Sequence, residues 1–146
     1  MSLNYGTTPS PTQVGIGVLL PLGAAGVGPE RPQPGAGSGD SEPDVALPYY
    51  LVNGIAGNDD KYWCNAIISV HTLAATIAEC DEWAWKAHHQ IISLTMGDII
   101  RLPSGETATV SGLGPRTHQM PVYQPYEDPF IKRYYARYFL PLRFSA

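Results

Sequence analysis

The chain has 146 residues, of which 44% are apolar and 15% are charged. This length is enough for one domain with its own core and too short for two ordinary domains. Nine Lys and Arg residues against thirteen Asp and Glu residues give a net charge of −4, which argues against a general polyanion binder. Two cysteines cannot form a disulfide scaffold, so an intracellular, reducing compartment is the simpler expectation.

The first 29 residues carry no charge, yet they match neither kind of membrane segment. Residues 14–28 form an apolar run of fifteen residues with five glycines and one proline, whereas a spanning helix needs about 20 apolar residues. A signal peptide needs a basic start, and no Lys or Arg precedes Arg31. We predict instead a short helix over residues 11–22, capped by Thr8 or Ser10.

Glycine and proline are concentrated in residues 1–48, which hold nine of the fifteen Gly and eight of the fourteen Pro. Residues 23–46 contain almost no large apolar side chain and cannot bury enough surface to offset their ordering entropy. We therefore predict a short helical segment at 1–22, a flexible linker or exposed loop at 23–46, and a core domain at 47–146.

The core domain is predicted to open with a hairpin. Residues 47–55 indicate a strand, residues 56–61 a polar turn, and residues 65–71 a second strand that is apolar on both faces. Because a short Gly-Asn-Asp-Asp connection joins them, the two strands are expected to be antiparallel neighbours.

A long helix is predicted over residues 73–94, with Thr72 as its cap and Gly97 beyond its end. Its apolar stripe has helical spacing and would lie flat on a sheet. The stripe consists of Leu73, Ile77, Cys80, Ala84, Ala87, Ile91 and Leu94.

Three further strands are predicted at residues 98–102, 107–113 and 130–144. In the last of these, even positions are mostly apolar and are assigned to the core, whereas odd positions carry the basic side chains. Pro141 indicates an edge position or a strand end. The predicted fold class is α+β, a mainly antiparallel sheet with one long and one short helix packed on one face.

No residue pattern points clearly to catalysis. Cys80 and His88 would stand about 12 Å apart on an ideal helix, too far to share one zinc ion. The carboxylate pairs Asp59–Asp60 and Glu127–Asp128 are typical of turns. We expect no catalytic residue, no bound metal and no cofactor.

Surplus aromatic and guanidinium side chains favour an interaction surface, because Trp, Tyr and Arg are enriched at protein interfaces. A DNA-facing role for the same basic stripe is the less favoured alternative. The candidate interface residues are Arg133, Tyr135, Arg137, Phe139, Arg143, Asp59, Asp60 and Trp63.

Several short motifs also occur in a characteristic order over about two thirds of the chain. They are Leu47–Pro48, the Gly-Asn-Asp-Asp turn at 57–60, Ser-Val-His-Thr at 69–72, Trp-Lys-Ala-His at 85–88, and an acidic-Pro turn followed by an Arg-Tyr-Tyr-Ala-Arg-Tyr strand at 127–138. In this combination the chain resembles the tail terminator proteins of long-tailed actinobacterial phages.

The resemblance implies a structural virion protein at the neck-proximal end of the tail, assembled in the host cytoplasm. It implies a ring of six copies that caps the tail tube, ends its polymerisation and contacts the major tail tube protein and the head-side neck proteins. DNA would pass through the lumen without specific binding, and no membrane would be involved. The basic residues Arg133, Arg137 and Arg143 would then face neighbouring copies or partners, with the acidic loop at Asp59–Asp60 as their complement.

Two alternatives stay open from the sequence. One is another neck component, such as a head-closure or adaptor protein. The other is a small hydrolase or metal-dependent enzyme that uses His71, His88 or the carboxylate pairs.

Overall fold

The computed structural model describes residues 10–30, 47–59 and 63–143. In these ranges two helices and seven strands form an α+β fold, as the sequence predicts. In chain order the elements are α1 (Pro11–Leu19, continued by a 3₁₀ turn at Leu20–Leu22), β1 (Gly26–Gly28), β2 (Tyr49–Asp59), β3 (Trp63–Ala74), α2 (Ile77–Ile92), β4 (Ile99–Arg101), β5 (Thr107–Val110), β6 (Arg116–Tyr123) and β7 (Lys132–Arg143).

The strands form one mixed, mostly antiparallel sheet in the order β1-β2-β3-β7-β5-β4, with β6 pairing beside β7. Strands β2 and β3 are antiparallel neighbours, as predicted, and β1 pairs parallel with β2. Strand β7 lies inside the sheet: β3 pairs along its whole length, and β6 and then β5 pair on its other side. An edge position for Pro141 is therefore wrong. This proline lies where the neighbour changes from β6 to β5, two residues before the strand ends.

Alternation along β3 and β7 gives the sheet two different faces. The helix-covered face carries even-numbered residues of both strands, such as Ile68, Val70, Tyr138 and Leu140, which are almost wholly buried. Both α1 and α2 pack on this side. At Gly17 the α1 backbone comes so close to β4 that an added Cβ would overlap the carbonyl oxygen of Arg101.

The other side of the sheet is called the outer face. It carries the odd-numbered residues of β3 and β7 and the residues paired with them in β2 and β6. The even positions of β7 belong to the core and its odd positions lie opposite, as the sequence predicts. Within the described ranges, neither helix is long and apolar enough to cross a membrane.

Helix α2 begins later than predicted. It starts at Ile77 with Thr76 as its cap, whose side-chain oxygen accepts a hydrogen bond from the Glu79 amide. The predicted cap, Thr72, is buried in β3, which continues to Ala74. Sheet pairing thus extends through the first residues of the predicted helix. The central part of the stripe is confirmed, since Cys80, Ala84, Ala87 and Ile91 are its buried residues.

The first hairpin is longer than predicted. Strand β2 runs to Asp59 and β3 starts at Trp63, so most of the expected turn at 56–61 is extended chain with a register shift between Gly54 and Ala56. A shift of this kind accommodates an extra residue without ending the pairing. At the other end of the molecule, α1 confirms the predicted short helix, with Ser10 rather than Thr8 as its cap; Thr8 lies outside the described residues.

Two strands were not predicted. Strand β1 falls within the glycine-rich segment expected as a loop, and its backbone gains partners only because β2 lies beside it. Strand β6 contains a proline and four consecutive polar residues, so it lacks the alternation typical of a half-buried strand. In neither segment does the local sequence pattern predict a strand. Each strand forms because a neighbouring strand pairs with it.

Candidate assembly interface

Four arginines lie on the outer face at positions set by the sheet register. Arg133, Arg137 and Arg143 are odd positions of β7, and Arg116 of β6 pairs opposite Phe139. Among the described strand positions on this face, none is Asp or Glu. Within the same ranges, no carboxylate forms an ion pair with Arg116, Arg137 or Arg143. The outer face is thus a positively charged surface.

Tyr135 and Arg137 form the centre of this face. The Arg137 Nε atom donates a hydrogen bond to the Tyr135 hydroxyl, and the guanidinium carbon lies 5.2 Å from the Tyr135 ring centroid. The Tyr135 ring lies 4.5 Å, centroid to centroid, from the ring of His71 on β3. All three side chains are half-buried. Because the tyrosine holds the guanidinium in place, Arg137 loses less conformational entropy on binding than a free surface arginine would.

Arg133 has contacts within its own chain. Its Nη2 atom donates a 2.7 Å hydrogen bond to the carbonyl oxygen of Pro125, and its guanidinium lies 5.3 Å from the Tyr126 ring centroid. These contacts fix the segment before β7 against the strand. Of the predicted arginines, Arg133 is therefore engaged locally, whereas Arg143 ends β7 as an exposed residue.

An apolar pocket of about 400 Å³ lies near the end of β7, at the end of the outer face away from Arg133. Phe139 and Trp63 line it, and the Arg116 guanidinium lies 4.7 Å from the Phe139 ring centroid. Trp63 is 46% exposed, and Leu113, at the rim, is 96% exposed. A pocket lined by aromatic side chains beside an arginine has the composition of a binding hot spot.

The predicted acidic complement does not lie on this face of the same copy. Asp59 pairs with Cys64 at the end of the hairpin, so it is on the helix-covered side, near Pro11 of α1. Asp60 lies outside the described residues. The structure thus brings Arg133, Tyr135, Arg137, Phe139, Arg143 and Trp63 to one face and puts Asp59 on the other.

Cys64 and Cys80 are buried and His88 is half-buried, so these three side chains pack within the fold. Cys80 is fully buried, its thiol donates to the carbonyl oxygen of Thr72, and burial raises the pKa of the Cys80 thiol to about 12. Burial, and then Asp59, raises the pKa of Cys64. Since the thiolate is the reactive form, both thiols are poor nucleophiles at neutral pH. His88 Nδ1 lies 3.0 Å from the Tyr138 hydroxyl, and within the described ranges no three His, Cys, Asp or Glu residues are grouped to hold a metal ion.

Arg116 and Leu113 were not among the predicted interface residues. Arg116 begins β6, a strand that the sequence does not predict, and Leu113 ends the predicted strand 107–113, beyond Val110, where β5 stops. Two signals were available: the Gly-Pro pair at 114–115 marks the turn before this strand, and Val122–Tyr123 has the composition typical of a strand.

Comparison with known proteins identifies no family. No family model matches the chain, and no curated protein matches it. Among solved structures, a chain of the virion of a native gene transfer agent particle matches over 86% of this chain and 84% of its own length, with 13% sequence identity and a TM-score of 0.45.

Proposed function

We propose that the protein is a structural virion protein, a tail terminator that forms a ring of six copies on the head-proximal end of a phage tail tube. The ring ends tube polymerisation and joins the tail to the head-side neck proteins. This assignment rests on the ordered motifs of the sequence and on the surface that the fold leaves open.

The observation that carries the proposal is the composition of the outer face. One face of a two-layer domain is covered by helices, while the other presents arginine and aromatic side chains on neighbouring strands. An enzyme concentrates its chemistry in a cleft with perturbed titratable groups. Here the distinctive side chains are spread over a sheet surface, which is the arrangement of a docking face.

The motifs of the resemblance occupy elements that position this face. Gly57–Asp59 of the Gly-Asn-Asp-Asp motif lie in β2, Ser-Val-His-Thr lies in β3, and Trp-Lys-Ala-His lies in α2. The last motif ends in β7 and includes Arg137. Because these motifs carry the resemblance, their place in these elements supports an assembly surface of the kind that the resemblance implies.

Arginines on the outer face are better suited to protein partners than to the ring lumen. DNA must move through such a ring, and cations that neutralise phosphates would hold it. We therefore propose that Arg137 and Arg143 face neighbouring copies or the tube and neck proteins.

The test is capping of tail tubes by the purified protein, observed by electron microscopy and by the length of tubes that form in its presence. The native chain is expected to sit at one tube end and to stop elongation. Arg137→Glu is expected to abolish both effects, because it places a carboxylate in a positively charged face. The matched control is Arg101→Glu, the same reversal at an exposed residue of the edge strand β4, which β5 separates from β7.

Normal capping by Arg137→Glu would refute the role of the outer face. A native chain that never binds tubes would refute the tail terminator function itself. Binding to a purified neck protein in that case would favour the head-closure or adaptor alternative.

A further inference from the structure

A second surface of the molecule complements the outer face. The first two turns of α2 carry three carboxylates, Glu79, Asp81 and Glu82, of which Asp81 and Glu82 are exposed. Ile77, at the start of the same helix, is 48% exposed. This surface is on the helix side of the sheet, so the acidic and basic surfaces lie on opposite layers of one subunit.

Glu82 has only a weak ion-pair partner within its own chain. Glu82 forms an exposed ion pair with Lys86, with 3.4 Å between the charged atoms, and such i,i+4 pairs contribute little. The Asp81 carboxylate interacts with the Tyr134 hydroxyl and helps raise the pKa of that tyrosine, after the larger effect of burial. These contacts leave the carboxylates accessible from the helix side.

Charge selects among the ways in which two copies can meet. Two outer faces in contact would place arginines opposite arginines, and two α2 surfaces in contact would place carboxylates opposite carboxylates. Like charges brought together at an interface oppose association. Contact between the outer face of one copy and α2 of the next is the arrangement in which opposite charges meet.

Resting on the proposed function, we infer that each copy packs its outer face against the first two turns of α2 in the next copy, with Arg137 facing Glu82. Because the two surfaces lie on opposite layers, every copy can offer one and receive the other. A contact of this head-to-tail kind generates a ring when the rotation between copies closes. Ile77 and Ala78 of the helix would meet the aromatic side chains of the outer face.

The test uses two single variants, Arg137→Glu and Glu82→Arg, and their mixture. Each variant alone is expected to remain at the 15.8 kDa monomer mass in light scattering and to leave tube ends uncapped, because each contact then pairs like charges. An equimolar mixture is expected to assemble on tube ends, because the two chains can alternate around a ring with an even number of copies. In such a ring every contact pairs opposite charges, with the native pairing and its reverse alternating around the ring.

A single chain carrying both substitutions is expected to recover assembly for the same reason. The neutral variants Arg137→Gln and Glu82→Gln provide a second set, in which both singles weaken assembly and their equimolar mixture recovers it only in part, because the native pairing returns at every second contact. The control is the mixture of Arg101→Glu with Glu82→Arg, in which only the Arg101→Glu chains are expected to assemble while Glu82→Arg stays at the monomer mass. Circular dichroism establishes that each variant is folded.

The outcomes separate the two proposals. If Arg137→Glu blocks capping but neither the mixture nor the double variant restores it, the pairing with α2 is wrong and the tail terminator function stands. If both single variants assemble like the native chain, the pairing is also wrong. If the native chain neither assembles nor caps tubes, the proposed function fails first.

Discussion

Strands β3 and β7 contribute alternate residues to two faces, and the two faces differ in composition and in burial. On the helix-covered face, Ile68, Val70 and Leu140 are buried against α1 and α2. On the outer face, Tyr135 and Arg137 remain half-buried in the single subunit. One strand sequence can therefore specify the core through its even-numbered residues and an assembly surface through its odd-numbered residues.

The largest expected effect comes from the helix-covered face. Leu140 is fully buried, so Leu140→Ala should lower the free energy of unfolding by about 2–5 kcal/mol through lost burial and a residual cavity. Denaturant unfolding at a protein concentration that keeps the chain monomeric measures this change. The neighbouring outer-face substitution Phe139→Ala is the control and should cost less. Equal losses at the two positions would mean that both faces belong to the core.

The contact between α1 and the sheet edge gives the next effect. Gly17→Ala would drive a methyl group into the carbonyl oxygen of Arg101, so we expect a loss of about 1–3 kcal/mol in the free energy of unfolding. Gly15→Ala is the matched control in the same helix. Its methyl would overlap the buried Val52 side chain, so a loss is expected there too, but a smaller one, because a side chain rather than a backbone carbonyl must shift.

Thermal or denaturant unfolding of the two glycine variants distinguishes these cases. Alanine is intrinsically the better helix residue by about 1 kcal/mol, so any loss at Gly17 must come from the close approach. A Gly17→Ala protein about 1 kcal/mol more stable than the native chain would show that α1 does not press on β4.

A pH effect is expected from His88, beside the helix-covered face. Burial, and then His89, lowers the pKa of His88 from its ordinary value of 6.5. The folded state therefore resists protonation more than the unfolded chain does. The stability contributed by neutral His88 is complete above pH 6.5 and is lost as the pH falls from there toward the lower folded-state pKa.

Comparison of native protein and His88→Gln from about pH 8 to about pH 5, an interval that spans the ordinary histidine titration, checks this prediction. The native chain should lose more stability across this interval than the variant. His89→Gln, which changes an exposed neighbour, should retain most of the native pH dependence. Identical profiles for the native chain and His88→Gln would contradict the assignment.

The smallest effect on the subunit is expected from the outer face. Arg143→Ala should change the free energy of unfolding by no more than about 0.5 kcal/mol, because the side chain is exposed at a strand end. Capping of tail tubes should be reduced in the same variant, since the proposed interface loses a cation. A destabilisation comparable to that of Leu140→Ala would make Arg143 a residue of the fold rather than of the surface.

Much of the core arrangement follows from the sequence. Alternation over residues 130–144 predicts which side of β7 is buried, and helical spacing predicts the buried side of α2. Both patterns are local, because the backbone period of a strand or helix decides which side chains share a face. The same alternation is enough to put Arg137 and Tyr135 together on the opposite side of the strand.

Tertiary structure decided what local patterns do not encode. Thr72 looks like a helix cap in the sequence, but pairing with β2 and β7 keeps it in a strand until Ala74. Strands β1 and β6 exist because partner strands lie beside them, and β6 brings Arg116 to the outer face. The separation of Asp59 from the arginines likewise depends on the register of the hairpin, a long-range property that composition and spacing leave open.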